Sequence, residues 1–127
     1  MKKGFKQLVS EANGEVKTWT TAEGIAAVGK PDVAFIDLRE ADEVARDGQI
    51  PGAEHFPRGM LEFYADPESP YHKPVFSSGK QLVLYCASAG RSALAAKTLK
   101  DMGFDNVAHV AGGFKAWTAA NGPVEKK

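Results

Sequence analysis

Two short runs, DVAFID (residues 32–37) and QLVLYC (81–86), put apolar side chains at consecutive rather than alternate positions. A strand with one wet face alternates; a run that does not is covered on both faces. Covering both faces needs helices on either side of a mostly parallel sheet. The rest of the chain supplies them. Phe5 to Ala12 suits a short helix, and Val16 to Trp19 a short strand. Thr20 or Thr21, with Glu23 in the first turn, caps a helix running to about Val28. Glu40 to Arg46 reads as a helix closed by Gly48, Ala53 to Phe56 as a strand, and residues 58–64 as helical. Arg91 to Met102 carries Leu94, Ala95, Leu99 and Met102 on one face. Residues 106–113 form a last strand and Phe114 to Ala120 a last helix. The expectation is an α/β fold, a small and largely parallel sheet of about five strands with helices on both faces. A chain of 127 residues is one ordinary domain, 1–127, with a core over about 16–121.

In such a sheet, ligands bind beyond the carboxyl ends of the strands. Two polar clusters fall at that edge, DLRE after the first run and CASAGRS after the second. Sixteen basic residues balance sixteen acidic ones, so charge gives no case for a nucleic-acid or membrane-surface partner. The N-terminus, MKKGFKQLVSEANGEV, lacks the apolar stretch of a secretory signal, and no window suits a membrane span. The single cysteine rules out an internal disulfide and points to a reduced, cytoplasmic setting. His55, His72 and His109 have no metal-ligand spacing, and neither a metal nor an organic cofactor is expected.

Cys86 ends the second run. A buried, inert cysteine at a strand end is the ordinary reading of its type. Its surroundings argue otherwise. Ala87, Ser88, Ala89 and Gly90 are small enough for a tight loop with inward N–H groups, and a concave set of amides binds anions. The helix starting near Arg91 adds the positive end of its dipole. Gly90 accepts either sign of φ, Arg91 brings a permanent charge, and Ser92 can cap the helix or donate to the anion. Together they favour a thiolate, the reactive form of cysteine.

FIDLRE, GQIPGAEHFP and LVLYCASAGRSALAAKTLKDMGFDNVAHVAGGFKAW stand in this order, and together they resemble a single-domain rhodanese of the sulfurtransferase superfamily. The resemblance runs from about Thr20 to Trp117; Gln49 departs from the family's more usual histidine, in a turn where a structural role is expected. It implies that the Cys86 thiolate attacks the outer sulfur of a donor such as thiosulfate, mercaptopyruvate or a persulfide. Cys86 then holds a persulfide, which cyanide or a thiol takes up. Donor and acceptor are small molecules or a protein persulfide or thiol. A sulfur-carrier module serving a partner protein is the alternative. Cysteine-dependent phosphatases, and arsenate reductases, are more remote: phosphatases of this kind resemble C-x5-R, whereas Cys86 to Arg91 is C-x4-R.

Asp37 and Arg39 read either as braces for the cysteine loop or as a helix cap and a surface ion pair with Glu40 or Glu43. Arg58 reads either as a binder of an anionic donor or as a solvated side chain. His109 is expected to pack or to bind backbone, and His72 to lie on the surface. Phe63, Tyr64, Tyr71 and Phe76 read as core rather than pocket wall, Trp19 and Trp117 as core, and the charges of VEKK as solvated. The contacts that select a donor are expected within residues 57–78.

Overall fold

A computed structural model describes residues 1–126. In chain order the elements are α1 (Phe5–Glu15), β1 (Lys17–Trp19), α2 (Thr21–Ala27), β2 (Val33–Asp37), α3 (Ala41–Asp47), β3 (Glu54–His55), α4 (Leu61–Ala65), β4 (Gln81–Tyr85), α5 (Gly90–Asp101), β5 (Val107–Val110) and α6 (Gly113–Ala119). Short 3-10 turns occupy Arg58–Met60 and Pro74–Ser77. The five strands form one sheet in the order β1-β5-β4-β2-β3, every pair parallel.

The local rules behind these elements are visible. Thr20 Oγ1 accepts from Glu23 N–H while the Glu23 carboxylate accepts from Thr20 N–H, a closed capping box at the start of α2. Gly48, at φ 80, stops α3. β2 and β4 pair from Val33↔Gln81 to Asp37↔Tyr85. Their unbroken apolar runs bury Ile36, Leu82 and Leu84 against α4 and α5 on one face, with Leu61, Ala65, Ala95, Ala96 and Leu99. On the other face Phe35, Val83 and Tyr85 pack against α2 and α6 through Ala27, Phe114 and Trp117. Trp117 is fully buried and sets its ring edge-on to Phe35 at 5.9 Å. Trp19 is only half-buried.

Strand order matters for the site. The chain leaves β2 toward β3 on one side and leaves β4 toward β5 on the other. Right-handed crossovers running in opposite directions put their helices on opposite faces, which opens a crevice beyond the ends of β2 and β4. Both polar clusters lie there.

One reading of the termini changes: α1 extends to Glu15 and packs along α5, rather than ending at Ala12. Glu125 is exposed, as expected of VEKK, but it is also tied down: its backbone bridges Gln49, and its carboxylate accepts from Gln49 Nε2 and Gly52 N–H. Gln49 is buried, and the bridge gives it the structural role expected of that turn. No helix among the described residues is long and apolar enough to cross a membrane.

Candidate active site

β4 delivers Cys86 to the crevice, where its side chain is 1% exposed. The loop that follows is held by its carbonyls. Phe114 N–H donates to Cys86 O at 2.8 Å and Lys115 N–H to Ala87 O at 3.0 Å, so the first turn of α6 clamps the loop from outside. This needs a close approach. Gly112 and Gly113 have φ of 71° and 62°, and a Cβ on Gly113 would stand 2.5 Å from Cys86 O. The AGGF sequence therefore belongs to the cysteine loop as much as to α6.

With the carbonyls turned outward, the N–H groups of Ala87, Ser88, Ala89, Gly90, Arg91 and Ser92 have no protein acceptor among the described residues. They lead into the N-terminus of α5, where amides and dipole favour negative charge. The positive φ falls on Ala89, at 76°, and not on Gly90, which opens α5. A left-handed residue just before a helix turns successive N–H groups toward a common centre. For alanine that conformation carries a cost of about 1–2 kcal/mol.

Arg91 is fixed by Glu43, which the sequence offered only as a surface partner for Arg39. The Arg91 guanidinium makes two bonds to Glu43 on α3, at 2.8 and 2.9 Å. These bonds, opposed by burial, lower the Glu43 pKa to about 2 and raise that of Arg91, to which Cys86 also contributes. Glu43 Oε1 accepts from Glu40 N–H as well, so one carboxylate ties the starts of α3 and α5 together.

Asp37 and Arg39 are neither a helix cap nor a surface pair. Both are buried, at 0% and 1% exposure. Arg39 Nε and Nη2 donate to the Asp37 carboxylate at 3.0 and 2.7 Å, and Nη2 also donates to Gly48 O at 2.7 Å. The guanidinium lies 4.2 Å from the Phe114 ring centroid. Asp37 Oδ2 accepts from Tyr85 Oη, which accepts in turn from Ile50 N–H. Burial and the neighbouring Asp37 push the Tyr85 phenol well up, so it stays a donor. Every polar group of this cluster that the site depends on has a partner, and its contacts reach both neighbours of the thiol, Tyr85 before it and Phe114 above it.

Ser92 does not cap α5. Ala89 holds that position without a side-chain bond, and the Ser92 hydroxyl lies 3.7 Å from Cys86 Sγ and 2.9 Å from His109 Nδ1. His109 thus binds side chains, not backbone. Its Nε2 meets Asn13 Oδ1 at 2.8 Å and Thr18 Oγ1 at 3.3 Å.

Arg58 is placed differently. Its guanidinium bonds Glu62 at 3.0 Å and Thr98 Oγ1 at 3.3 Å, two turns along α5 from the loop. His72 bonds Ser77 Oγ at 2.8 Å. Tyr64 and Phe76 pack in the core, while Phe63 and Tyr71 are exposed. Among the described residues, two cavities against the loop are lined by other segments than 57–78. One, of about 540 Å³, runs from Ser88–Gly90 to Phe5, Lys6 and Asn13 of α1. The other, of about 430 Å³, joins Ala87 to Arg39, Arg46, Lys115 and Lys126. No cluster of potential metal ligands occurs among the described residues.

Residues 20–120 match the model described as Rhodanese-like domain. A solved structure from Rhodopseudomonas palustris, a protein of unknown function described as a possible tyrosine phosphatase, is 51% identical with a TM-score of 0.95. The match covers 98% of this chain and 96% of that one. The chain is 32% identical over 84 residues to a putative sulfur carrier protein of Bacillus subtilis, YrkF, covering 66% of this chain and 40% of that protein. It is 30% identical over 101 residues to mouse thiosulfate sulfurtransferase/rhodanese-like domain-containing protein 3, covering 76% and 64%. The chain thus spans less than two thirds of either curated relative.

Proposed function

The chain belongs to the rhodanese-like domain family, and from that premise we propose that it is a sulfurtransferase whose Cys86 thiolate carries the sulfur. The observation that supports this most is the loop from Ala87 to Ser92. Its carbonyls are engaged by α6, and its N–H groups are left free beside the one thiol. With thiosulfate as donor, the Cys86 thiolate attacks the outer sulfur, the S–S bond to the sulfonate breaks, and sulfite leaves with the electron pair. Cys86 then holds a persulfide anion, whose charge the loop amides stabilise. Cyanide attacks the terminal sulfur, thiocyanate leaves, and the Cys86 thiolate returns. No second cysteine is required, which agrees with a chain that has one. Asp37 and Arg39 act as braces. Arg58, committed to Glu62 and Thr98, gains no support as a donor-binding residue. Mercaptopyruvate and persulfides are donors of the same reactivity, and thiols acceptors. A thiol nucleophile works where it is kept reduced, which fits a cytoplasmic setting.

Two other readings rest on specific similarities. The relative named a putative sulfur carrier favours a protein partner as acceptor. The neighbour described as a possible tyrosine phosphatase favours phosphate chemistry. Against the latter, four residues between Cys86 and Arg91 make a ring that suits a single sulfur atom better than a phosphate.

Intact mass after incubation with thiosulfate separates the three. The proposal expects a gain of one sulfur, reversed by cyanide and absent in Cys86→Ser. Sulfur accepted only from a protein persulfide points to the carrier. No sulfur from any donor, with hydrolysis of an aryl phosphate, overturns the sulfurtransferase reading.

A further inference from the structure

His109 lies outside the chemistry described so far, yet it is the centre of a continuous hydrogen-bonded chain that begins at the reacting sulfur. Cys86, Ser92 and His109 are all buried, at 1%, 0% and 1% exposure, whereas Asn13 and Thr18 at the far end are exposed. The links measure 3.7 Å from Cys86 Sγ to Ser92 Oγ and 2.9 Å from there to His109 Nδ1. From Nε2 they measure 2.8 Å to Asn13 Oδ1 and 3.3 Å to Thr18 Oγ1. The elements that carry them fix the arrangement. His109 pairs with Thr18 across β1 and β5, and with Leu84 across β4, while α1 lies along α5. Asn13 and Thr18 both precede residue 20, where the family match begins.

The directions of the hydrogens follow from the acceptors. Asn13 Oδ1 has no hydrogen to give, so Nε2 carries the ring proton and Nδ1 has a lone pair. Ser92 Oγ–H then donates to Nδ1, and its oxygen accepts from the Cys86 S–H. Every hydrogen points away from the sulfur. That arrangement suits a thiol and opposes a thiolate, which needs a donor where Ser92 presents a lone pair.

We propose that His109 is the positioning residue for Cys86, and that exchange of its ring proton from Nε2 to Nδ1 turns the Ser92 hydroxyl from an acceptor for the thiol into a donor to the thiolate. The protons balance. The S–H bond breaks as its proton passes to Ser92 Oγ, the former Ser92 proton passes to Nδ1, and the Nε2 proton leaves at the exposed end. One proton is released and the sulfur keeps the electron pair. Nδ1–H then donates to Ser92 Oγ, Ser92 Oγ–H to the thiolate, and the Thr18 hydroxyl to the stripped Nε2. Asn13, being exposed, is free to turn its amide. The ring begins and ends neutral, in keeping with burial, the one influence on it, which lowers its pKa. The groups around it agree. Asn13 and Thr18 are uncharged, α5 offers Ser92 and then Arg91, which is turned to Glu43, and Cys86 is the titratable group at the end of the chain.

The purpose of this device rests on the sulfurtransferase reading, but its test does not. The pH profile of Cys86 alkylation by iodoacetamide, read by intact mass, requires no sulfur donor. Ser92→Ala, which removes the donor to the thiolate, is expected to move the midpoint upward and to slow alkylation about tenfold below it, the effect of losing one hydrogen bond to a charged group. His109→Leu, which removes the Nδ1–H that turns that hydroxyl toward the sulfur, moves it the same way by less, and the double variant moves it no further than Ser92→Ala alone. His109→Asn, which keeps a side-chain N–H where Nδ1 stood, retains most of the wild-type profile. A His109→Leu profile that superimposes on wild type, or shifts that add in the double variant, overturns the proposal. If His109→Leu does not fold, the wild-type ring ¹⁵N signals decide: exchange from Nε2–H to Nδ1–H across the alkylation midpoint supports it, and an unchanged tautomer or an imidazolium overturns it.

Discussion

Arg39 is the residue whose surroundings weigh most against a surface role. Its charge is met by Asp37, Gly48 O and the Phe114 face, all without solvent. Arg39→Met leaves the Asp37 carboxylate buried and unpaired, and the expected loss is about 3–5 kcal/mol in urea unfolding. Asp37→Asn combined with it recovers part of that loss, because the stranded charge is gone. A single-variant cost under about 1 kcal/mol contradicts the bracing role. Sequence reading identified Asp37 and Arg39 as candidates because they end a buried strand. It did not place Tyr85, Glu43 and His109 at the site, for a common reason. Their partners lie 48, 48 and 17 residues away, and no local pattern marks such a pairing.

Among the elements, the loop and the first turn of α6 form one unit. Gly113 permits α6 to reach the carbonyls of Cys86 and Ala87. Gly113→Ala adds a methyl that meets backbone at 2.5 Å, in a conformation that disfavours side chains. The expected result is a loss of about 2 kcal/mol or more in stability, with slower uptake of sulfur from thiosulfate measured by mass. Unchanged uptake at matched foldedness contradicts the clamp. The strands β2 and β4 were legible because an unbroken apolar run has one explanation. The loop's conformation was legible only in part: Gly90 was read as free to take either sign of φ, and the positive φ falls one residue earlier, on Ala89. A small side chain and the clamp from α6 override local preference there.

At the scale of the whole molecule, the shifted groups act in one direction on acidification. Glu11, Glu23, Glu43, Asp47, Glu62 and Glu125 are all lowered from their ordinary values, and His109 is lowered from 6.5 by burial. A lowered group takes up protons more readily in the unfolded chain, so stability falls as pH drops. The loss begins below 6.5 as the unfolded histidine protonates, and it steepens from 4.5 toward about 2 as the Glu43 pair with Arg91 is broken. The raised Tyr85 erodes stability above its ordinary value of 10.0. Thermal midpoints across this range should therefore show a plateau between about pH 6.5 and 10. Glu43→Gln should narrow its gap to wild type below 4.5, and a midpoint that rises between pH 6.5 and 4.5 contradicts the assignment. The crevice also belongs to this scale. Its place at the ends of β2 and β4 was predictable from parallel topology, but its walls were not. The two cavities against the loop draw on α1, α3 and α6, because strand order, and not sequence proximity, decides what faces the loop.

The account depends on unpaired amides taking up negative sulfur. The most direct measurement is the ¹H–¹⁵N spectrum of the protein before and after loading with thiosulfate, with sulfur uptake confirmed by mass. The N–H signals of Ala87 through Ser92 should move together on loading and return on addition of cyanide. Signals that stay in place while Cys86 carries its extra sulfur would contradict the cradle.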